Sequence, residues 1–348
     1  MSLGWAIAGI GSHADLKIAP AVKLAQDSHL AAVYSRDQGR ADAFAEKHGA
    51  HAAYDSLDAM LGDPRVDAVF VASPNYLHAP QTIRSAAAGK HVLAEKPMAN
   101  SVSDAAAMID ACRDHGVTLG LGFELRFHPA HLWARRLVED GAIGRIRLAH
   151  GQWGRGNRGE PEHLPRTGLR EWWETPELIG EASVLVGLGV HVFDLMRFLL
   201  RDEVVEAVAM TDGQTEDQPL EHIATIALRM SSGAIAQVMC GRMLPDTQND
   251  LALYGSDGRI ATRETIWEAR LGRAEVVGST VDQSRSYEYD YLANFVAELE
   301  DFHDAVKNGR PPSATGEDGL RAARITAAAI ESAKTGRAVK ITPVLHSH

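Results

Sequence analysis

The first third of the chain alternates short apolar runs with segments of helical periodicity. The apolar runs are at residues 5–10, 29–34, 67–72, 91–94 and 117–121. Runs that are apolar at nearly every position are typical of strands covered on both faces of a parallel sheet. Strands that alternate with helices through short loops indicate βαβ units. Residues 1–123 are therefore predicted to form an α/β fold of the Rossmann type, with a doubly wound parallel sheet.

Beyond residue 123 the hydrophobic pattern changes to a period of two. From Ala224 to Met230 every second residue is large and apolar or alanine, and turn-forming residues follow at 231–233. Such alternation is typical of a sheet with one face on a core and the other exposed or paired with a partner. Helical stretches also occur, among them an amphipathic helix predicted at residues 190–200, so residues 124–348 are predicted to form a second, α+β domain. Its helix at residues 319–334 is a candidate to pack back on the first domain.

Composition narrows the possible partners and the compartment. The 348 residues suffice for two domains, and the net charge of −11, without a basic run, argues against nucleic acid. Cys112 and Cys240 are far apart, which favours a reducing compartment. His128 and His131 lack a third ligand at metal-site spacing, so no metal is expected. No signal peptide and no apolar stretch of about 20 residues is found, so we expect a cytoplasmic protein without a membrane partner.

A glycine-rich turn follows the first apolar run. Residues 9–14 have the pattern G-x-G-x-x-A between a predicted strand and a predicted helix. In this pattern the first glycine permits a tight turn, and the second lets the backbone approach a pyrophosphate at the helix N-terminus. We expect Gly9, Ile10, Gly11 and Ser12 to bind a dinucleotide. An ordinary structural turn is the alternative, because short glycine-rich strings are common.

The end of the second predicted strand bears on the choice of dinucleotide. A site for NAD usually has an acidic residue here that binds the ribose 2′-hydroxyl. In this chain Ser35 and Arg36 occupy the position. A hydroxyl and a guanidinium suit the 2′-phosphate of NADP. Asp37 follows directly and leaves NAD open, so the residues favour NADP over NAD.

An ordered set of motifs resembles the Gfo/Idh/MocA oxidoreductases. The motifs are at residues 9–14, 72–78, 88–97, 126–129, 141–144, 189–191 and 315–319. The resemblance implies an N-terminal Rossmann domain and a C-terminal domain with an open, mostly antiparallel sheet. It implies homodimers or homotetramers joined through that sheet. It also implies hydride transfer between a nicotinamide and a secondary alcohol or carbonyl of a sugar, anhydro-sugar or polyol.

The resemblance implies roles for individual side chains as well. The residues that it places near the cofactor are Ser73, Asn75, His78, Glu95 and Lys96. Lys96 would position and polarise the reacting oxygen, on which negative charge develops during hydride transfer. His191 is the second catalytic candidate, because an imidazole that titrates near neutral pH can exchange a proton. The expectation is that Lys96 and His191 converge on the nicotinamide.

One position departs from the family pattern. The family usually has an Asp four residues before the histidine, and here that residue is Gly187. Asp194 and, as a second substitute, Glu181 are candidates to orient the imidazole of His191 instead, although Asp194 also has the spacing to pair with Arg197. The departure keeps open a non-catalytic dinucleotide-binding sensor or regulator. Reduction of a non-sugar carbonyl or a tetrapyrrole also stays open, because fold does not determine function.

The segment at residues 155–180 has little periodicity and is rich in arginine and tryptophan. Aromatic faces suit the C–H face of a sugar ring, and arginines suit carboxylate or phosphate groups. A packed aromatic cluster with solvated arginines is the alternative. The residues expected to bind the substrate are Trp153, Arg166, Trp172, Trp173 and Asp194.

Overall fold

The computed structural model describes residues 2–159, 166–266 and 270–342. The chain divides into two compact units. The first comprises Met1–Glu124 and Leu292–Leu320, and the second comprises Leu125–Tyr291 and Arg321–His348. Leu292–Leu320, which lies after the boundary predicted at residue 123, belongs to the first unit.

A six-stranded parallel sheet forms the centre of the first unit. Its strands are β1 (Leu3–Ala8), β2 (Ser28–Tyr34), β3 (Ala52–Tyr54), β4 (Ala68–Val71), β5 (His91–Ala94) and β6 (Leu119–Leu121). They lie in the order β3-β2-β1-β4-β5-β6, and every neighbouring pair is parallel. This is the strand order of the doubly wound dinucleotide fold, so the predicted fold class is confirmed. The order reverses between β1 and β4, and ligands of such sheets bind at that point.

Helices follow the strands of the first unit. They are α1 (Ala19–Leu24, preceded by a π-helical turn at Ala14–Ile18), α2 (Gln38–His48), α3 (Leu57–Leu61), α4 (His78–Ala87) and α5 (Val102–Asp114). Three of them begin at a side chain that accepts a hydrogen bond from the backbone N–H three residues later: Asp37, Ser56 and Ser101. Such caps satisfy N–H groups that the helix leaves without partners, which fixes where each helix starts.

The second unit is built on a nine-stranded sheet. Its strands are β7 (Ile146–Gly154), β8 (Val204–Thr211), β9 (Ile223–Met230), β10 (Ile235–Gly241), β11 (Leu251–Gly255), β12 (Gly258–Arg263), β13 (Leu271–Gly278), β14 (Asp282–Glu288) and β15 (Val339–Lys340). The strand order is β14-β13-β12-β11-β7-β10-β9-β8-β15. The pair β7–β10 is parallel, whereas its neighbours pair in antiparallel fashion. The expected mostly antiparallel sheet is therefore confirmed.

One helix covers the centre of this sheet and carries His191. The later helices are α6 (Pro129–Glu139), α7 (Pro176–Ile179), α8 (Val190–Leu200), α9 (Leu292–Asn308) and α10 (Gly316–Thr335). Helix α8 lies so close to β7 that a Cβ on Gly151 would be 2.5 Å from the Cε atom of Met196. Ten of its eleven residues are buried, so α8 is covered on all sides rather than amphipathic as its pattern suggested.

Helix α9 is the late helix that packs on the parallel sheet of the first unit. The ring of Phe302 lies 5.4 Å from that of Trp5 on β1, and Phe295 lies 5.4 Å from the ring of His13. Of the helix predicted at residues 319–334, only the first two residues belong to this unit. The contact follows from the apolar face of α9, since Phe295, Leu299 and Phe302 are all buried. In the described parts of the chain no helix has the length and apolar character to cross a membrane.

Candidate functional site

The glycine-rich turn lies at the carboxyl end of β1, where the strand order reverses. Gly9 has a φ of +97°, and a Cβ there would be 2.5 Å from the backbone nitrogen of Ser73 in the loop after β4. The Cβ position of Gly11 faces open space instead. Gly9 and Ile10 are half-buried, whereas Gly11 and Ser12 are exposed, and helical residues begin at Ser12. The turn thus joins two loops at Gly9 and leaves the start of the helix open to an anionic ligand.

The residues at the end of β2 differ in exposure and in role. Ser35 is buried and Arg36 is exposed. Asp37 caps α2: its Oδ1 atom accepts a hydrogen bond of 2.8 Å from the backbone N–H of Arg40. Its own N–H donates to the Ser35 hydroxyl over 3.4 Å. One oxygen of the carboxylate that kept NAD open in the sequence is therefore engaged at the helix start, and both Asp37 and Arg36 are exposed.

Glu95, Lys96 and Pro97 follow β5 directly, and the Lys96–Pro97 peptide bond is cis. The Glu95 carboxylate is buried; its Oε1 atom lies 2.7 Å from Nε2 of His13, and its Oε2 atom accepts a hydrogen bond from the Lys96 N–H. Burial alone would raise the pKa of Glu95, but His13 and Lys96 hold it below its ordinary value. Lys96 is half-buried, and no acceptor within the described residues contacts its Nζ atom.

His78 links the loop after β4 to the segment around Pro97. Its Nδ1 atom lies 2.8 Å from the carbonyl oxygen of Pro97, and its Nε2 atom lies 2.8 Å from that of Ser73. Burial lowers the pKa of His78, and the two carbonyl contacts oppose that shift because they favour the protonated ring. Asn75 is buried in a 3₁₀ turn beside it. The Ser73 hydroxyl is buried without a hydrogen-bond partner in the described part of the chain. An unsatisfied hydroxyl beside the open turn at Gly11 fits a bound dinucleotide.

In the second unit the structure brings two of the predicted residues together. His191 lies in the first turn of α8, and Trp153 is the last but one residue of β7. Their ring centroids are 4.5 Å apart at an angle of 50°. Both side chains are buried. The tryptophan therefore holds the plane of the imidazole through ring contact.

Asp194 has a different environment from the one expected. Arg126 donates two hydrogen bonds to its carboxylate, over 2.7 and 2.5 Å, and Arg197 lies 3.6 Å from Oδ1. The side chains of Arg126 and Asp194 are only 6% and 2% exposed. The structure thus places Asp194 in an internal ion pair, in which each carboxylate oxygen accepts a hydrogen bond. Glu181, the second substitute, forms an ion pair of 2.9 Å with Lys334.

The tryptophans of the irregular segment lie on a 3₁₀ helix at Gly168–Glu174. The rings of Trp172 and Trp173 are 4.6 Å apart. The guanidinium carbon of Arg166 lies 4.3 Å from the ring centroid of Trp173, and that of Arg242 lies 5.4 Å from it. Arg166, Trp172 and Trp173, predicted from sequence, are therefore one cluster, which we call the arginine–tryptophan cluster and to which Arg242 is added.

Arg242 was not predicted from the sequence, although a signal for it exists there. Gly154 ends β7 and Gly241 ends β10, and the two glycines are partners in the parallel pairing. Arg155 and Arg242 are the next residues, and the N–H of Arg155 donates to the carbonyl of Gly241 over 3.0 Å. Two Gly-Arg pairs at strand ends therefore indicate neighbouring arginines once the strands are known to be parallel. His13 was also missed, although it lies inside the glycine-rich pattern.

Gly187 lies against the arginine–tryptophan cluster. It belongs to a π-helical turn, Leu185–Gly189, that precedes α8. A Cβ on Gly187 would be 3.6 Å from Nη2 of Arg242 and 3.6 Å from the Trp173 ring, which are ordinary contact distances. The residue that replaces the family's usual carboxylate thus has a guanidinium as its neighbour.

The two neighbouring histidines of α6 have structural partners. The Nδ1 atom of His128 accepts a hydrogen bond from the Ala130 N–H, and His131 lies 2.7 Å from the carbonyl oxygen of Leu125 and 3.0 Å from the Thr265 hydroxyl. Across residues 2–159, 166–266 and 270–342, no group of three or more His, Cys, Asp or Glu side chains could hold a metal ion.

Comparison with known proteins gives consistent matches to both halves of the chain. Residues 3–123 match the oxidoreductase family with an NAD-binding Rossmann fold, and residues 131–261 match the GFO/IDH/MocA C-terminal domain. The chain is 30% identical over 341 residues to 1,5-anhydro-D-fructose reductase of Ensifer adhaerens, which covers 97% of this chain and 98% of that protein. It is 32% identical over 336 residues to D-xylose 1-dehydrogenase (NADP(+)) 2 of Haloferax volcanii, with 96% and 97% covered.

A solved structure gives the same result in three dimensions. The aldose-aldose oxidoreductase of Caulobacter crescentus, complexed with glycerol, superposes with a TM-score of 0.85 and 29% sequence identity, and the match covers 98% of this chain and 100% of that one. The family-model matches lie in both halves of the chain. The chain belongs to the Gfo/Idh/MocA oxidoreductase family.

Proposed function

We propose that this protein is an NADP(H)-dependent oxidoreductase that transfers a hydride between a nicotinamide and a secondary alcohol or carbonyl carbon of a sugar, anhydro-sugar or polyol. Its family and the names of its relatives, a 1,5-anhydro-D-fructose reductase and a D-xylose 1-dehydrogenase, support this substrate class. The observation that carries the proposal is Lys96, a half-buried ammonium group directly after β5 that contacts no acceptor within the described residues.

The residues proposed to hold the cofactor surround the switch point of the first sheet. They are Gly9, Ile10, Gly11, Ser12, Ser35, Arg36, Ser73, Asn75, His78, Glu95 and Lys96. The bound nicotinamide supplies or accepts the hydride. The exposed guanidinium of Arg36 would bind a 2′-phosphate, and the capping role of Asp37 supports NADP because its carboxylate is engaged by the start of α2. NAD stays the alternative, and the two are distinguished by the dissociation constants of NADP⁺ and NAD⁺ for the wild-type protein.

Lys96 and His191 are proposed to act on the substrate oxygen. When a carbonyl is reduced, its carbon gains a hydride and its oxygen gains a proton; oxidation of the alcohol reverses both steps. The Lys96 ammonium donates a hydrogen bond to that oxygen and stabilises the negative charge that develops there. The buried carboxylate of Glu95 accepts the Lys96 N–H and so fixes the backbone from which the side chain extends. His191 exchanges the proton, in an orientation held by Trp153.

Replacement of Lys96 tests this function. The Lys96→Met variant is expected to lose turnover by about 10²–10⁴-fold, because the charge on the reacting oxygen is no longer stabilised. Its dissociation constant for NADP⁺ is expected to stay within about threefold of the wild-type value, because ten further residues are proposed to hold the cofactor. Turnover is followed at the absorbance of the reduced nicotinamide with a panel of sugars, polyols and sugar acids. Lys23→Met, at an exposed lysine of α1, is the matched control. Equal turnover in Lys96→Met and wild type would contradict the assignment.

A second candidate function has one observation in its favour. Gly187 replaces a carboxylate that the family usually has, which is consistent with a non-catalytic dinucleotide-binding sensor or regulator. Tight binding of NADP⁺ by the wild-type protein together with no turnover on any member of the panel would favour this alternative.

A further inference from the structure

We propose that the second unit contains a subsite for an anionic group, formed by Arg166, Arg242 and Trp173 beside Gly187, and that the substrate is a sugar or polyol carrying a carboxylate. This inference deepens the proposed function and rests on it, because the ligand of the subsite is a substrate only if the protein is an oxidoreductase. The subsite itself rests on residues of the second unit alone.

The fold brings the positive charges together. Arg155 and Arg242 follow the paired last residues of two parallel strands, and Arg166 stacks on the same tryptophan as Arg242. Because parallel neighbours end at the same edge of a sheet, the residues that follow them project from adjacent positions. The cluster is thus built by sheet register and aromatic stacking, not by chance proximity of long surface side chains.

No carboxylate of the described residues forms an ion pair with Arg166 or Arg242. The Nη1 atom of Arg166 and the Nε atom of Arg242 are buried and lack a hydrogen-bond partner within the described ranges. Two acids lie nearby, and each has other partners. The carboxylate of Glu221 accepts hydrogen bonds from the N–H groups of Ser183 and Leu185. That of Glu174 accepts one from the backbone N–H of Arg166 over 3.2 Å, and its charge partly offsets the repulsion between the arginines. Buried charged donors of this kind are costly without a partner, and an anion would supply one.

Burial and mutual repulsion lower the pKa values of the two arginines of the subsite. Burial, with Arg166 and Arg155 adding repulsion, lowers the pKa of Arg242 to about 9. Burial, with Arg155 and Arg170 adding repulsion, lowers the pKa of Arg166 to about 10. Both groups are cationic at pH 7, and an anion placed between them would raise both pKa values and relieve the repulsion.

There is room for a ligand next to the cluster. A cavity of about 460 Å³ is lined by Arg155 and by Arg242, the one residue of the subsite that reaches it, together with the polar residues Asn157, Thr247 and Asn249. Asp246 also lines it, and its carboxylate forms an ion pair with Arg158. A volume of this size matches small-molecule sites in general. Gly187 adds space at the cluster, because nothing lies closer than 3.6 Å to its Cβ position. The cavity therefore offers arginines for an anionic end and polar groups for hydroxyls.

The geometry favours a carboxylate over other anions. A guanidinium presents paired N–H groups in one plane, which match the two oxygens of a carboxylate. Trp173 covers one face of Arg166, so the edge of the guanidinium stays available for in-plane hydrogen bonds. Phosphate carries a negative charge but is not planar, so a sugar phosphate distinguishes the two anions.

The first test compares matched ligands by calorimetry on the NADP⁺-loaded protein. The probes are D-gluconate and D-glucuronate, their neutral counterparts D-glucitol and D-glucose, and glucose 6-phosphate. Each acid is expected to bind at least about tenfold more tightly than its neutral counterpart, as a charge-assisted pair would produce. Equal binding of acids and neutral compounds overturns the proposal. Tighter binding of glucose 6-phosphate than of either acid overturns the assignment to a carboxylate.

Variants connect the preference to the cluster. Arg242→Gln is expected to weaken binding of the acids by about 10- to 100-fold and to leave the neutral compounds within threefold. Arg242→Lys keeps the charge and is expected to retain part of the preference. Arg147→Gln removes one positive charge from an exposed position of β7 and is the matched control. Melting temperatures identify any variant that fails to fold, and an unchanged preference in a folded Arg242→Gln overturns the proposal.

A gain-of-charge variant covers the case in which Arg242 substitutions do not fold. Gly187→Asp places a carboxylate where the side chain has ordinary contact distances to Arg242. It is expected to abolish the preference for acids, because the protein then supplies its own anion, and to retain binding of the neutral compounds. Retention of the full preference for acids would overturn the proposal. If the protein binds the acids but turns over no compound, the subsite is supported and the oxidoreductase function is contradicted. If it turns over neutral sugars and shows no preference for acids, the oxidoreductase function is supported and the subsite is contradicted.

Discussion

Gly9 and Gly11 belong to the same turn but are required for different physical reasons. Substitution of each by alanine distinguishes these reasons. Gly9→Ala is expected to lower the free energy of unfolding by at least about 1–2 kcal/mol, because its φ of +97° disfavours a Cβ and the methyl group would meet the backbone of Ser73. Gly11→Ala is expected to leave stability unchanged, since its Cβ position faces open space. It should instead weaken NADP⁺ binding by about tenfold or more, because the methyl group occupies the approach of the pyrophosphate.

Urea unfolding and fluorescence titration with NADP⁺ measure the two effects on the same samples. Each variant is the control for the other, because both add one methyl group to one turn. A Gly11→Ala variant that binds NADP⁺ as tightly as wild type would remove this turn from the cofactor site. A Gly9→Ala variant of wild-type stability would contradict the close approach to Ser73.

Sequence predicts the residues of this site unevenly. Lys96 and the turn at Gly9 carry local motifs, so the sequence alone locates them. Arg242 lies 87 residues after Arg155 in the chain, and the two meet only because β7 and β10 are parallel neighbours in an otherwise antiparallel region. The role of Asp194 depends on Arg126, which lies 68 residues earlier in the chain. Long-range pairing of this kind leaves no periodicity for a sequence pattern to show.

At the scale of elements, α9 carries a buried acid among other acids. Glu298 is 2% exposed, and neither of its carboxylate oxygens has a hydrogen-bond partner in the described part of the chain. Burial, followed by the charges of Glu124, Glu95 and Asp301, raises its pKa well above 4.5. The folded protein therefore favours the protonated form of Glu298, whereas the unfolded chain ionises at its ordinary pKa.

The sign of the resulting pH dependence follows from that difference. The stability associated with Glu298 is complete below about pH 4.5 and is lost as the pH rises through the raised pKa. Glu298→Gln removes the titration, so its free energy of unfolding relative to wild type should increase with pH by up to about 1.4 kcal/mol per unit. Urea unfolding at pH 5, 6, 7 and 8 measures the slope, and Glu46→Gln, at an exposed acid of α2, is the control. If the free energy of unfolding depends on pH in the same way in Glu298→Gln and wild type, ionisation of the buried Glu298 does not destabilise the fold.

Helices and strands were predicted correctly where their hydrophobic pattern is strong. They were missed where a strand forms only by pairing with a neighbouring strand. The strand at residues 91–94 and the helix at residues 190–200 were located to the residue. Strand β3 was missed because it has three residues, all half-buried. Strand β14 was missed because its sequence, DQSRSYE, is polar throughout and becomes a strand only by pairing with β13. Edge strands of this type lack the alternation on which sequence patterns depend.

At the scale of the whole molecule, the sheet of the second unit has one face on which apolar side chains are left exposed by the described part of the chain. Leu148 on β7 pairs with Tyr254 on β11 and Ile235 on β10, so the three lie in one row on one face. Leu148 is 44% and Tyr254 42% exposed, and Met210 on β8 is 73% exposed. Helix α8 packs on the opposite face, at Gly151. Contiguous exposed apolar positions in a sheet are typical of subunit interfaces, and we propose that copies of this chain form a homodimer or homotetramer through this face.

A charge at the centre of that row tests the assembly. Wild-type protein is expected to elute with a light-scattering mass of two or four times 37.6 kDa. Leu148→Lys is expected to shift the mass to that of one chain, because an ammonium group would be buried without a partner in each of the symmetric contacts. Leu24→Lys, at a leucine of α1 that is 63% exposed, introduces the same charge outside the sheet and should leave the mass unchanged. A monomeric wild type, or a Leu148→Lys variant that keeps the full mass, would show that this face is not the interface, since burial of an unpaired charge at its centre is incompatible with a stable contact.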